Sequence, residues 1–297
     1  MRIAIMGSGG LGGYCGAMLA RVGEDVTFIA RGGHLEAIRS EGLTVKLPSG
    51  EEFNLDAKAT RDPGEIGPVD LVWLCVKTYD TDAAAEQIRP MVGPETMIVS
   101  IQNGVDNEKR IEGIFGPEHF VPGVSYGNGL IEKAGVIFVR FAGMTSLGEI
   151  NVSVTSRIEQ LVGSSQQAGV EVESRTDMPS FLWDKCVVIC GVGGAEILAR
   201  QPMGPVFVTP EITGLMIRLL LEGVAVAQGM GIDLSLELPD KLIELAHNRI
   251  PPTHRTSMFE DLLEGKRLEV EALNGTLVRL GSEHGVETPL HLPSTLP

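Results

Sequence analysis

Hydrophobic residues fall into two regimes along the chain. Up to about residue 175, short apolar runs ended by Gly, Pro or Asn alternate with stretches of helical periodicity. Runs of this kind predict strands over Arg2–Met6, Asp25–Ala30, Leu71–Val76, Met97–Ile101, Phe120–Val124, Val136–Phe141, Ser146–Ile150 and Val170–Glu173. Helices are expected over Gly10–Val22, His34–Glu41, Thr81–Met91 and Val154–Ala168. Leu43–Leu47 and Glu52–Leu55 flank Pro48-Ser49-Gly50 as a hairpin would. The opening order of strand, glycine loop, helix and strand is that of a parallel α/β sheet. After Thr176 strand signals fade, and Leu182–Ala199, Thr213–Gln228, Leu238–Asn248 and Val270–His284 read as helices. A domain boundary is therefore expected near 175–180. It separates an α/β domain (1–177) from an all-α domain (178–297). No internal repeat, low-complexity tract or long charged run interrupts this order.

Composition adds limits. A chain of 297 residues suits two domains, and 43% hydrophobic with 21% charged residues is an ordinary globular balance. The formal net charge of −15 disfavours nucleic acid and anionic membranes, which need a positive field. A small anionic substrate remains compatible if local cations line its pocket. The start, MRIAIMGSGG, lacks the features of a secretory signal. The apolar stretch Cys186–Ala195 is about half the roughly twenty residues of a membrane span. The four cysteines form no C-x-x-C, which points to a cytoplasmic protein with reduced thiols.

Gly7-Ser8-Gly9-Gly10-Leu11-Gly12 matches G-x-G-x-x-G between a strand and a helix. The first glycine permits the tight turn. The second lets backbone N–H groups approach a pyrophosphate, and the third allows close packing of helix on strand. A positive helix N-terminus adds to the anion site. A Rossmann-type dinucleotide-binding domain is thus expected, with an all-α C-terminal domain behind it. At the end of the second strand, Ile29-Ala30-Arg31 offers no carboxylate for a ribose 2′-hydroxyl. Arg31 instead suits a 2′-phosphate, favouring NADPH/NADP over NAD, against the alternative of a surface arginine. Two further strand ends carry polar groups, Val76-Lys77-Thr78 and Gln102-Asn103-Gly104. Lys77 is a candidate for the nicotinamide-side ribose or phosphate, and Asn103 for cofactor or substrate carbonyl. The competing reading of each is helix capping or loop chemistry.

In the second half, Trp183-Asp184-Lys185 opens an otherwise apolar helix. Lys185 is read either as a snorkelling side chain at a helix start or as a general acid that protonates an alkoxide. Ser257, in Thr256-Ser257-Met258-Phe259-Glu260-Asp261, is placed to hydrogen-bond a carboxylate or hydroxyl. Glu269 is a candidate to orient a lysine or a ribose. By periodicity alone Ser257 and Glu269 are ordinary exposed helix residues. His254 and Arg255 precede Ser257 and are candidates for substrate contact or for a surface loop. The six histidines lack metal-ligand spacing, so no metal is expected. Neither a G-x-S-x-G elbow nor a P-loop Gly-Lys-Ser/Thr is present.

Taken in order, these segments resemble the 2-dehydropantoate 2-reductase (ketopantoate reductase) family. The resemblance rests on Gly7–Gly12, Arg31, Val76-Lys77, Gln102-Asn103-Gly104, Trp183-x-Lys185, Ser257-Met258-x-x-Asp261 and Gly265-x-x-x-Glu269 through Asn274-Gly275. It implies a Rossmann domain, a helical domain, an active site in the cleft between them and NADPH-dependent reduction of a 2-oxo acid, as in pantothenate biosynthesis. It implies that the glycine loop cradles the pyrophosphate and Arg31 holds the 2′-phosphate. Lys77 and Asn103 then face the cofactor and the reacting centre. Lys185 is the general acid, Ser257 binds substrate, and Glu269 lies near the nicotinamide ribose and the lysine.

The chain also departs from the family. Asparagines common four and eight residues after the catalytic lysine are here Ile189 and Gly193. A site without those amides should be drier, roomier at Gly193, and suited to a bulkier or more apolar 2-oxo acid than ketopantoate. The final segment, with Pro289, Pro293 and Pro297, is not expected to form the last helix that family members often carry. Two rival functions follow. One is a β-hydroxy acid dehydrogenase, which would lack the Ser257–Glu269 segment. The other is a non-catalytic NADPH-binding protein, which would have little use for Lys185, Ser257 and Glu269 together. Apolar patterning of the C-terminal helices suits a homodimer as well as a monomer's core.

Overall fold

The computed structural model describes residues 1–150 and 153–292. In chain order the strands are β1 (Arg2–Met6), β2 (Asp25–Ile29), β3 (Leu43–Lys46), β4 (Glu52–Leu55), β5 (Lys58–Thr60), β6 (Val69–Leu74), β7 (Val92–Ser100), β8 (Phe120–Ser125), β9 (Asn128–Lys133), β10 (Val136–Phe141), β11 (Thr145–Gly148) and β12 (Val172–Arg175). The helices are α1 (Gly10–Arg21), α2 (Gly32–Glu41), α3 (Thr81–Ile88), α4 (Asn107–Phe115), α5 (Ser156–Gln167), α6 (Met178–Ala199), α7 (Met203–Val208), α8 (Pro210–Gly229), α9 (Leu238–Arg249), α10 (Ser257–Leu263) and α11 (Asn274–His284).

The chain divides into two compact units. Residues 1–102 with 107–178 form one, and residues 103–106 with 179 onward form the other. The first unit holds an eight-stranded sheet in the order β12-β11-β8-β7-β6-β1-β2-β5. From β5 to β8 all neighbours pair in parallel, and β11 runs antiparallel to β8. Strand order reverses between β1 and β6, so the carboxyl ends of these two strands form the switch point at which such sheets bind ligands. Their four-to-five-residue apolar runs are buried on both faces, as central parallel strands must be: Ile3, Ala4, Ile5, Leu71, Val72, Trp73 and Leu74 are at most 1% exposed.

A second, four-stranded sheet, β4-β3-β10-β9, lies against α1. The β3–β4 hairpin forms with Leu43 opposite Leu55, as its turn residues predict, but β3 also pairs in parallel with β10 about ninety residues later. Strand β9 and helices α4, α7 and α10 are elements that periodicity alone does not pick out, because Gly and charged residues break their patterns.

The helical unit packs Trp183, Cys186, Val187 and Cys190 of α6 with Met216, Leu219, Leu220 and Val224 of α8 and Leu277 and Leu280 of α11. Helix α6 starts at Met178, a full turn before the expected Leu182, so Lys185 stands two turns inside it and not at its start. The predicted helix Val270–His284 shortens to α11, Asn274–His284. Residues 266–273 follow a non-helical path after Gly265, whose φ of +66° a side chain would disfavour.

Candidate functional site

The glycine loop follows β1 at the switch point. Gly7 has φ +101°, and a Cβ there would lie 2.8 Å from the Cys75 carbonyl carbon. Gly12 would place a Cβ 2.4 Å from the Gly7 oxygen. Gly10 is closed by the second sheet, since its Cβ would lie 1.9 Å from the Gly129 oxygen. Gly9 differs. It caps α1 with no side-chain hydrogen bond, and a Cβ there would meet nothing within 4 Å. Three glycines thus shape the turn against the chain, and the fourth leaves open space before the start of α1. This is the local arrangement that a pyrophosphate requires.

The side chains of the remaining loop residues turn into the fold. The buried Ser8 hydroxyl donates to the Ile29 oxygen (2.9 Å), tying the loop to the end of β2. Leu11 is half-buried at the start of α1. His34 also holds the loop, a role its sequence context does not mark. Its Nδ1 accepts from Gly135 N–H (3.0 Å), so Nε2–H donates to the Ser8 oxygen (2.9 Å) and holds the loop backbone. Burial lowers its pKa, in keeping with a neutral ring.

Arg31 is the N-cap of α2, exposed, with Nη2 donating to Gln87 Oε1 at 3.4 Å. No acidic side chain occupies the first turn of α2. The guanidinium at this end of β2 fits a 2′-phosphate, and the first turn of α2 carries no carboxylate for a bare ribose hydroxyl. Lys77 is half-buried in the turn after β6. Gln102, at the end of β7, donates to the Val76 oxygen (2.9 Å) and to Thr81 Oγ1 (2.8 Å), bracing the two strand ends.

Asn103 and Gly104 belong to the helical unit. Gly104 has φ +95° and lies 3.4 Å, at a built Cβ, from the Ala272 oxygen and the Leu273 side chain. The same 103–106 loop is clamped by Arg279, whose Nη2 donates to Asp106 Oδ2 (2.6 Å). The Asn103 turn therefore rests on the 269–273 segment. Glu269 itself is 4% exposed, not an exposed helix residue as its periodicity suggests. Its carbonyl accepts from Leu273 N–H (3.1 Å).

Lys185 is half-buried on α6. Burial pushes its pKa down to about 8, with the Cys186 thiol and the Glu269 carboxylate opposing that shift. Desolvation thus outweighs the acidic partner, a balance the sequence leaves open. Lys185, Glu269 and Asn103 all belong to the helical unit, and the Glu269 charge acts on Lys185. Ser257 is exposed at the first position of α10, behind the Thr256 N-cap. His254 and Arg255 lie exposed in the preceding loop. Two turns along α6 from Lys185, a Cβ on Gly193 would meet Met258 Cε at 3.1 Å and Thr256 Oγ1 at 3.4 Å. The expected extra room at Gly193 is therefore filled by α10. Ile189, one turn along, packs against the helical core.

A parallel sheet of this order, a glycine loop at its switch point and a half-buried lysine on an all-helical unit define the class of two-domain dinucleotide-dependent oxidoreductases. Within that class, residues 3–152 match the family model "Ketopantoate reductase PanE/ApbA" and residues 177–292 match "Ketopantoate reductase PanE/ApbA C terminal". The chain belongs to the ketopantoate reductase family. It is 29% identical to a 2-dehydropantoate 2-reductase of Pyrococcus horikoshii over 98% of this chain and 94% of the relative. The structure of a 2-dehydropantoate 2-reductase from Geobacter metallireducens GS-15 superposes with TM-score 0.90 at 34% identity, covering 99% of this chain and 97% of that one. A D-mandelate dehydrogenase solved with NADH and anilino(oxo)acetate shares the fold at TM-score 0.91 and 22% identity, covering 99% and 96%.

Proposed function

We propose that this chain reduces a small 2-oxo acid to the 2-hydroxy acid with NADPH, with Lys185 as the proton donor. The observation that carries the reading is the lysine itself. It is an ammonium inside an apolar helix, beside a buried carboxylate, with its pKa brought to about 8. A general acid works best when its pKa lies near the working pH. Family membership supports the oxidoreductase activity and the NADPH requirement.

Gly7, Ser8, Gly9, Gly10, Leu11 and Gly12 would hold the pyrophosphate on backbone N–H groups, Arg31 the 2′-phosphate, and Lys77, Asn103 and Glu269 the nicotinamide half. When bound, NADPH supplies a hydride to the keto carbon. The rest falls to the chain. Lys185 stabilises the negative charge that develops on the substrate oxygen and transfers its proton there, and Asn103 and Ser257 hold the substrate in line. Glu269 keeps Lys185 charged against the pull of burial. The setting is cytoplasmic, where the four free thiols stay reduced.

The substrate preference we propose is for a 2-oxo acid whose side chain is more apolar than that of ketopantoate. Ile189 and Gly193 offer no amide, and Met258 and Thr256 fill the Gly193 face with mostly apolar surface. A panel of 2-oxo acids, followed by loss of NADPH absorbance, tests both statements. Turnover of the apolar members above ketopantoate is expected. NADPH binding with turnover of no 2-oxo acid would contradict the catalytic reading, and ketopantoate as the best substrate would contradict the preference.

A further inference from the structure

Glu196 is a carboxyl that the reaction described above does not use. It lies in the last turns of α6 and is fully buried. Its Oε2 accepts from Thr256 N–H (3.1 Å) and from the Thr256 hydroxyl (2.5 Å), across sixty positions of sequence. Thr256 is in turn the N-cap of α10, its Oγ1 accepting from Phe259 N–H (3.3 Å). Oε1 is buried with no hydrogen-bond partner among the described residues.

This is an expensive place for an acid. It is desolvated, it stands near the negative end of a helix dipole, and half of it is unpartnered. An apolar side chain would fill the space without that cost. What the carboxyl supplies, and an apolar group does not, is a fixed acceptor for two donors of one residue, and that residue starts the helix whose first position is Ser257. Burial holds the carboxyl at a pKa of about 7, with Arg255 lowering it and Glu260 raising it.

We infer that Glu196 is a positioning residue that anchors the first turn of α10 through Thr256, and thereby fixes the Ser257 hydroxyl for the substrate. The inference rests on the proposed 2-oxo acid reduction for its catalytic consequence, but the anchor itself has a separate readout. Amide exchange at Phe259, the donor to the Thr256 cap, reports the first turn of α10 without any substrate.

Glu196→Ala and Thr256→Val should each speed exchange at Phe259 and raise KM for the 2-oxo acid about tenfold, the scale of one lost capping hydrogen bond. In Glu196→Ala, kcat and NADPH affinity should stay within about threefold, because Lys185 and the glycine loop are untouched. Combining the two substitutions should add little, since they break one link. Glu196→Gln keeps an acceptor for Thr256 and should restore both readouts. Unchanged Phe259 exchange in Glu196→Ala, or in Thr256→Val should the first variant not fold, would overturn the anchor. Unchanged KM with faster exchange would overturn its link to the substrate. A wild type that turns over no 2-oxo acid would instead fail the functional reading, and Phe259 exchange would still decide the anchor.

Discussion

Among single residues, charge held where water is scarce sets the chemistry. In the proposed reaction Lys185 acts as an acid in its protonated form, and that form is lost as pH rises through its lowered pKa of about 8. kcat should therefore fall above about pH 8 as a single proton is removed. Glu269→Gln removes a neighbour that favours the ammonium, so the fall should begin at lower pH. A pH–rate profile of both proteins checks the sign, and an unmoved or upward-shifted inflection would separate Glu269 from Lys185. Lys185→Ala should lower kcat by about 10²–10⁴-fold, the usual worth of a general acid, with NADPH affinity nearly unchanged. Arg31→Ala should weaken NADPH binding by about tenfold or more, as one charge-assisted phosphate contact would, and leave NADH binding alone. Titration with both cofactors measures this. Glu196 adds a pH effect on stability. Its carboxyl is held at about 7 in the fold against an ordinary 4.5, so its contribution is fully present below pH 4.5 and is lost as pH rises to 7. Glu196→Gln cannot ionise, and its stability should fall less between pH 5 and 8 than the wild type's in thermal melts.

At the scale of elements, the glycine loop separates two jobs that its motif runs together. A Cβ on Gly10 would overlap the Gly129 backbone, whereas one on Gly9 enters open space. Gly10→Ala should cost about 1–3 kcal/mol of stability, as overpacking does. Gly9→Ala should fold with an unchanged Tm and lose affinity for NADPH. Melting curves and cofactor titrations on the pair distinguish fold from ligand, and the reverse pattern would remove the loop from cofactor binding. Elements also mark where sequence reading stops. β1, β2, β6 and β7 are legible because both faces are buried and glycine or Asn-Gly ends the runs. The 266–273 segment is not. Its apolar residues, Leu268, Val270 and Leu273, keep a helical rhythm, yet Gly265 turns the backbone away and the chain enters the core as a loop, carrying Glu269 inside. Glu196 is legible only as an acid in an apolar helix. Its partner Thr256 sixty positions away is a tertiary fact.

For the whole molecule, the two regimes of hydrophobic pattern correspond to a parallel sheet and a helical bundle, each with its own core. The pairing that closes the second sheet is not legible, although its hairpin and the Val136–Phe141 strand are, because β3–β10 joins strands with many elements between them. The place of residues 103–106 in the helical unit, where Arg279 reaches Asp106, is equally a tertiary fact. The central claim is that this fold delivers a proton from Lys185 during NADPH-dependent reduction of a 2-oxo acid. The most direct measurement is single-turnover loss of NADPH absorbance with saturating 2-oxo acid, wild type beside Lys185→Ala, both preloaded with NADPH. The account predicts a fast decay in the wild type and one slowed at least about a hundredfold in the variant, with equal amounts of NADPH bound. Equal decay rates in the two proteins would contradict it.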